Sequence, residues 1–379
     1  MRIGFYAPLK PPDHPVPSGD RLVARLLIRA LAAAGHEVQV MSRFRSRDGE
    51  GDAVRQARLA ALGRRQGDRI RRRVDLHAGG LAPPQLWFTY HLYHKAPDWI
   101  GPAVAEDLGI PYVVAEASFA PKQAGGPWAA GHAAVAAALG RADAVIGLNP
   151  ADAACVRPLL ADPARYHSLP PFLDAGPFEA ARTARPETRR TLAATLGLDP
   201  AQPWLVTVAM MRPGDKLASY RLLGAALAPL ADRPWQLLVV GDGAARAEVE
   251  AALAPLGRRV AFAGALPPDR VPETLAAADL CVWPAVREAW GMALLEAQAA
   301  GVPVVAGRVG GVPAIIADGE TGLLAPEGDN AALSAAVVDL LDDPARRHAM
   351  ASAAVRHIAA RHALPAAARA LRAVLDRLA

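Results

Sequence analysis

Two glutamates, Glu288 and Glu296, stand eight residues apart in the stretch L-C-V-W-P-A-V-R-E-A-W-G-M-A-L-L-E-A-Q-A-A-G-V-P-V-V-A, which starts at Leu280. The pattern predicts a strand ending near Trp283, a loop with Glu288 and Gly291, and a helix from about Met292 until Gly301 caps it. The first glutamate therefore sits beside a helix start, whose unpaired N–H groups and positive dipole end can hold an anion such as a diphosphate. At about 1.5 Å rise per residue the second carboxylate lies on the order of 12 Å further along. That reach suits a ligand with a sugar at one end and a ribose at the other. Glu296 is flanked by Leu294, Leu295 and Ala297, so its carboxylate is expected to be partly desolvated and in need of hydroxyl or N–H partners. The competing reading makes Glu288 a surface charge and pairs Glu296 with an arginine elsewhere.

A second group lies in V-T-V-A-M-M-R-P-G-D-K, where Arg212 and Lys216 occupy a Pro-Gly loop after a strand. Cations placed there can neutralise a diphosphate as it becomes a leaving group; the alternative is a charged surface turn. In H-P-V-P-S-G-D-R-L, Gly19 would let the backbone approach a phosphate or an acceptor, while Ser18 or Asp20 serves equally as a helix N-cap. Gly241 and Gly243 form a glycine turn at a strand end, as do Gly310 and Gly311, a weak signal when taken alone. Gly264 and Leu266 follow the apolar run R-V-A-F-A-G and join the donor-side candidates. His91 and His94 follow L-W-F-T-Y, and Glu116 and Ser118 follow P-Y-V-V-A, so all four are candidate acceptor contacts; a satisfied structural histidine is the competing reading for each imidazole.

The elements that must position these residues alternate. A buried strand (2–7), a loop rich in proline and glycine, the apolar-periodic helix R-L-V-A-R-L-L-I-R-A-L-A-A-A ended by Gly35, and the strand V-Q-V-M make one parallel strand–helix–strand unit. Further apolar runs at L-W-F-T-Y, P-Y-V-V-A and A-V-I-G-L extend it. W-L-V-T-V-A-M, W-Q-L-L-V-V-G, R-V-A-F-A-G, L-C-V-W-P and V-P-V-V-A then repeat the scheme. The expected class is α/β, with two Rossmann-like, doubly wound parallel-sheet domains facing each other across a cleft. We place the first at 1–172, a linker at 173–199 and the second at 200–379, with the last helix a candidate to pack back on the first domain.

Composition agrees with a large buried core: of 379 residues, 52% are hydrophobic and 21% charged. No apolar run approaches a membrane span, and the start is too short in apolar residues for a secretory leader, so a cytoplasmic protein is expected. Cys155 and Cys281 read as buried free thiols. Eleven arginines crowd the region from Arg43 to Arg73. Such a patch attracts anionic head groups or a phosphorylated acceptor, or is a solvated face; without interleaved aromatics nucleic acid is not expected as a partner.

Taken together these motifs resemble the family 4 glycosyltransferases, of GT-B fold, in the group that transfers with retention of anomeric configuration. The match is densest from about Val206 to Asp343, and A-G-V-P-V-V-A-G-R-V-G-G-V-P with D-G-E-T-G-L-L is close to the family pattern. The resemblance implies that Glu288 holds hydroxyls of the donor sugar and Glu296 the ribose. It implies that backbone amides near Gly291, Met292 and Ala293 hold sugar or phosphate, that Arg212 and Lys216 contact the diphosphate, and that Gly19 belongs to the N-terminal glycine loop. Two positions depart from the pattern: Met211 stands where the arginine is common, and Ala117 where a histidine often follows P-Y-V-x-x-E. The second role is lost or falls to His91 or His94.

The implied activity moves a sugar from a nucleotide-diphosphate donor to a hydroxyl of a sugar, lipid-linked or polysaccharide acceptor, as in glycan, lipopolysaccharide or glycolipid synthesis. No metal and no cofactor beyond the nucleotide-sugar substrate is expected, since no Asp-x-Asp cluster is visible. Peripheral contact with an anionic inner membrane face through Arg43–Arg73 is a further expectation. A nucleotide-sugar epimerase on the same fold and a non-catalytic nucleotide-sugar-binding protein remain as alternatives. A dehydrogenase is disfavoured, because no complete glycine fingerprint with a downstream acid occurs.

Overall fold

Strands buried on both faces read as unbroken apolar runs, and such runs are stable only inside a parallel sheet covered by helices on either side. In the computed structural model, which describes residues 1–16, 18–75, 82–288 and 290–378, this is what they form. Pro17 and Ala289, inside two of the motifs above, lie outside the described residues. Contacts divide the chain into one unit of Met1–Pro170 with Leu364–Ala379 and a second of Pro171–Ala363.

The first unit runs β1 (Arg2–Tyr6), α1 (Gly19–Ala33), β2 (Glu37–Ser42), α2 (Ala53–Asp75), β3 (Leu86–Leu92), α3 (Gly101–Asp107) and β4 (Tyr112–Ala117). It continues with α4 (Ala129–Arg141), β5 (Ala144–Gly147), α5 (Ala153–Val156) and β6 (Tyr166–Ser168). The six strands pair in parallel in the order β2-β1-β3-β4-β5-β6. Ser18 caps α1, its hydroxyl accepting from the Arg21 N–H at 3.3 Å, and Ala24, Leu27, Ala30 and Leu31 form the stripe that α1 buries. The turn after β3 is fixed by Asp98, which is buried yet fully partnered: it accepts from Thr89 Oγ1 at 2.5 Å, Tyr112 Oη at 3.0 Å, Ile100 N at 2.9 Å and Gly101 N at 2.7 Å. Burial pushes its carboxyl above the usual range against those four bonds.

The second unit begins with α6 (Gly176–Thr183) and α7 (Arg185–Leu196), followed by β7 (Trp204–Val208), α8 (Asp215–Leu227), β8 (Gln236–Val240), α9 (Arg246–Leu253) and β9 (Val260–Gly264). Next come α10 (Val271–Ala276), β10 (Leu280–Trp283), α11 (Met292–Ala299), β11 (Val304–Gly307), α12 (Val312–Ile315) and β12 (Gly322–Ala325). Helices α13 (Asn330–Asp342) and α14 (Pro344–His357) close it, and the chain ends in α15 (Leu364–Leu375), which packs on α1 within the first unit. Its sheet is again parallel and six-stranded, in the order β12-β11-β10-β7-β8-β9. Among the described residues no helix is long and apolar enough to cross a membrane.

Residues 173–199, read from the sequence as a linker, are mostly helical and packed. Phe178, Ala181 and Ala193 enter the second core. Arg185 donates to the carbonyls of Ala276 at 2.7 Å and Ala278 at 2.6 Å and pairs with Asp279 at 2.6 Å; Arg189 reaches the other Asp279 oxygen at 3.0 Å and lies over the Trp204 ring. Cations at the last carbonyls of α10 complement its negative dipole end. Apolar period alone cannot reveal this docking, because arginines carry much of it.

Candidate donor and acceptor sites

At the carboxyl ends of β7, β8 and β10 the second unit encloses a pocket of about 510 Å³. Lys216, Gly241, Leu266, Glu288, Gly291, Met292 and Ala293 line it, so most donor-side candidates meet there. Met210, Asp242 and Trp283, which the sequence reading did not single out, line it too. A tryptophan closing a buried strand just ahead of the glutamate loop was the available signal for the last of these.

Lys216, in the first turn of α8, places Nζ 2.5 Å from Glu288 Oε2, and the Trp283 indole N–H donates to the same oxygen at 3.2 Å. The lysine also lies over the Trp283 ring, 5.4 Å from its centroid. The loop carrying Glu288 is held to α8 by Ser219, whose hydroxyl accepts from Val286 N at 3.0 Å, and by the Arg287–Asp215 pair at 3.1 Å. Ala285 and Arg287 take positive φ values of 63° and 45°, a strained conformation for non-glycine residues that this bonding sustains. Gly291 then caps α11 in the left-handed conformation, φ 66°. The N–H groups of Gly291, Met292 and Ala293 find no acceptor among the described residues.

Gly241 turns beside them at φ 139°, and a β-carbon there would stand 1.9 Å from the Ala209 carbonyl oxygen. Gly243, at φ 153°, closes on the Met211 carbonyl in the same way. Gly264 ends β9, and its carbonyl accepts from Gly241 N at 2.8 Å. Gly243 and Gly264 shape the turn without lining the pocket.

Two further candidates lie beyond the lining. Arg212 is exposed, its guanidinium beside the Met210 sulfur at 3.1 Å, while Met211 is fully buried in the core. Backbone bonds of Met211 to Asp242 and Ala245 turn that side chain inward. Glu296 sits on α11 one turn beyond Met292, with part of its surface exposed but densely surrounded, and its carboxylate makes no ion pair or hydrogen bond among the described residues. Burial pushes its carboxyl up to about 7. The arginine partner that the competing reading required is absent among the described residues.

In the first unit the acceptor-side candidates separate. His91 is the penultimate residue of β3, at φ 63°, and Glu116 lies near the end of β4 at φ 57°. His91 Nδ1 stands 2.9 Å from Asp20 Oδ1, across the start of α1. That hydrogen bond holds the Asp20 carboxyl below its usual range. Burial alone would lower His91, but the Asp20 bond and the Glu116 and Asp20 charges outweigh it and raise it. Burial raises Glu116, opposed by the His91 charge and a Tyr90 hydrogen bond, and raises Asp152, which Ser118 bonds. The Pro-Ala-Asp turn after β5 was the signal that could have pointed to Asp152.

Ser18 is the N-cap, and Gly19 has open space where a side chain would be, so the approach to this end of α1 is unobstructed. His94 does not join the group. Its ring packs on Tyr93 and Trp128, its Nε2 is buried without a partner among the described residues, and burial with the neighbouring Lys95 and His132 lowers its pKa.

Two six-stranded parallel sheets, each covered by helices, are the architecture of the GT-B fold. Residues 202–343 match the family described as glycosyl transferases group 1. The D-inositol 3-phosphate glycosyltransferase of Rhodococcus opacus (strain B4) is 35% identical over 212 residues, which cover 53% of this chain and 46% of that one. A Corynebacterium glutamicum protein, the GDP-mannose-dependent monoacylated alpha-(1-6)-phosphatidylinositol monomannoside mannosyltransferase, is 34% identical over 203 residues, covering 52% of each. The chain thus spans about half the length of these curated relatives. Among solved structures HepE of Anabaena, in complex with UDP, is similar over 100% of both chains, with a TM-score of 0.72 and 17% identity.

Proposed function

We propose that the protein is a glycosyltransferase that moves a sugar from a nucleotide-diphosphate donor to an acceptor hydroxyl with retention and without a metal ion. The observation that carries this reading is the Lys216–Glu288 pair at the open N-terminus of α11. A diphosphate accepts from the free N–H groups of Gly291–Ala293 and draws Lys216 to itself, because a dianion outbids one carboxylate for the ammonium. Glu288, released, accepts hydroxyls of the donor sugar. Glu296 accepts ribose hydroxyls, which supply the partners its carboxylate lacks. Stabilisation of the departing diphosphate is then the main catalytic term. Arg212 contributes only after its exposed side chain swings in.

On the acceptor side, the Asp20–His91 pair with Glu116 binds acceptor hydroxyls, and His91 fills the place that Ala117 leaves vacant. The acceptor is a sugar, a lipid-linked sugar or a polysaccharide. The C. glutamicum relative, whose name specifies a phosphatidylinositol monomannoside, favours the lipid-linked class. The enzyme works in the cytoplasm, and the arginines from Arg43 to Arg73 bring it to an anionic inner membrane face.

Thermal unfolding in the presence of a panel of nucleotide sugars tests the donor assignment, since a ligand at a hundred times its Kd adds roughly 2.7 kcal/mol. A panel in which no nucleotide sugar raises Tm rejects it. Retention is read from the anomeric configuration of the product by NMR, and metal independence from transfer rates with and without a chelator.

A further inference from the structure

Helix α2 carries Arg58, Leu62, Arg65, Arg69 and Arg72 at spacings of four and three, so these five side chains share one face. All five are exposed, Leu62 among them at 37%. The neighbouring edge of α2 packs against α3 through glycines: a β-carbon at Gly63 would stand 2.4 Å from Trp99 Cβ, and one at Gly67 would touch Val104 at 3.4 Å. Between the helices lies a groove of about 510 Å³. Its floor is apolar, from Ile100, Ala103 and Val104; Arg64, Arg65 and Arg71 line its rim, together with Asp68 and Asp107, both of which pair with Arg71. Arg71 is neutralised by Asp68 and by Asp107 at 2.5 Å, but Arg64 and Arg65 make no ion pair among the described residues. Trp99, partly exposed between the buried Asp98 and Ile100, forms the end wall.

We propose that this groove seats the phosphate and adjoining glycerol of an anionic lipid, with Arg64 and Arg65 pairing with the phosphate. Trp99 and Leu62 then enter the interfacial layer, where an amphipathic ring and a lone exposed leucine among arginines are stable. The proposal rests on the membrane contact suggested above and narrows it from a diffuse patch to one seat. Charge complementarity calls for an anion, and the apolar floor and exposed leucine would serve no purpose for inorganic phosphate. A single-stranded polynucleotide would call for several stacking rings, and this groove offers one.

The test is sedimentation of the full chain with phosphatidylglycerol/phosphatidylcholine vesicles and with phosphatidylcholine vesicles alone. The variants are R64E/R65E, Ala103→Trp to fill the groove without changing charge, and R58E/R69E on the open stripe. Circular dichroism reports that each variant is folded. The wild type is expected to sediment with the anionic vesicles only, and both groove variants to bind them about tenfold more weakly or worse. If the groove variants bind like the wild type while R58E/R69E does not, the seat is overturned and the diffuse patch survives. If the wild type ignores anionic vesicles, both fail. If soluble glycerol phosphate or an oligonucleotide raises Tm while vesicles do not bind, the lipid assignment is overturned. A nucleotide-sugar shift in Tm, measured on the same variants, reports on the donor site separately.

Discussion

The ammonium of Lys216 and the carboxylate of Glu288 meet at 2.5 Å although 72 residues of chain separate them. Two charges that a diphosphate sugar would need apart are stored together, half-shielded at the pocket edge, with Trp283 fixing the carboxylate.

Substituting either partner should therefore cost far more in function than in stability. Lys216→Ala is expected to lower donor turnover by about a hundredfold or more. The pair is partly exposed, so its loss should shift stability by no more than roughly 1 kcal/mol. Turnover with a saturating donor and the urea midpoint, measured on the same preparation, check the two halves. Turnover near the wild-type value removes Lys216 from the mechanism.

Glu296 should make stability and donor affinity respond to pH in opposite senses. Its folded pKa of about 7 lies above the unfolded carboxyl value, so the folded state binds the proton more tightly. Stability relative to Glu296→Gln is then lost as pH rises from the unfolded value toward 7, by at most roughly 3 kcal/mol. On the proposed reading ribose hydroxyls donate to the ionised form, so donor affinity is expected to rise across the same interval. Chemical denaturation and calorimetry at pH 5 and pH 8 (nominal values, set about either side of the raised pKa) read both trends. A variant that shows the wild-type pH profile in both measurements shows that Glu296 is not the titrating group.

The Asp20–His91 pair makes a stability prediction of the same sign, from a different group. A raised histidine pKa stabilises the fold fully below the unfolded value and is lost as pH climbs through the folded one. Asp20→Asn should thus destabilise most in mildly acidic solution and least above pH 8 (a value about 1.5 above the unperturbed histidine). It should also lower the His91 titration midpoint followed by NMR. Glu116, Asp152 and Tyr90 face the same group and are unchanged in this variant. An unmoved midpoint contradicts the coupling.

The glycines divide by geometry. Gly241→Ala must displace the Ala209 carbonyl from a β-carbon 1.9 Å away at a backbone angle of φ 139°. We expect a loss of about 2–4 kcal/mol with a distorted pocket. Gly19→Ala meets nothing within 4 Å and should leave Tm almost unchanged. Differential scanning of the two variants distinguishes them, and equal shifts refute the contrast.

Much of the architecture was legible because parallel strands and their covering helices write their burial into the chain. The unbroken run Leu86–Leu92 and the stripe Ala24, Leu27, Ala30 and Leu31 are examples. The docking of α6 and α7 was not, since Arg185 and Arg189 bond to carbonyls and to Asp279, which no apolar period marks. His91 and His94 look alike in sequence, yet left-handed backbone at His91 turns it to Asp20 while Trp128 packs edge-on against His94.

By itself, then, the sequence determined that two strand–helix repeats exist, that Glu288 and Glu296 frame a helix start, and which loops leave the strand ends. Residue type and period carry that information, because they act over a few neighbouring positions. Only the tertiary structure decided that Lys216 closes on Glu288, that Met211 turns into the core while Arg212 stays outside, and that the Glu296 carboxylate has no partner among the described residues. Those outcomes depend on charges and volumes brought together from distant parts of the chain, and no local pattern encodes their distances.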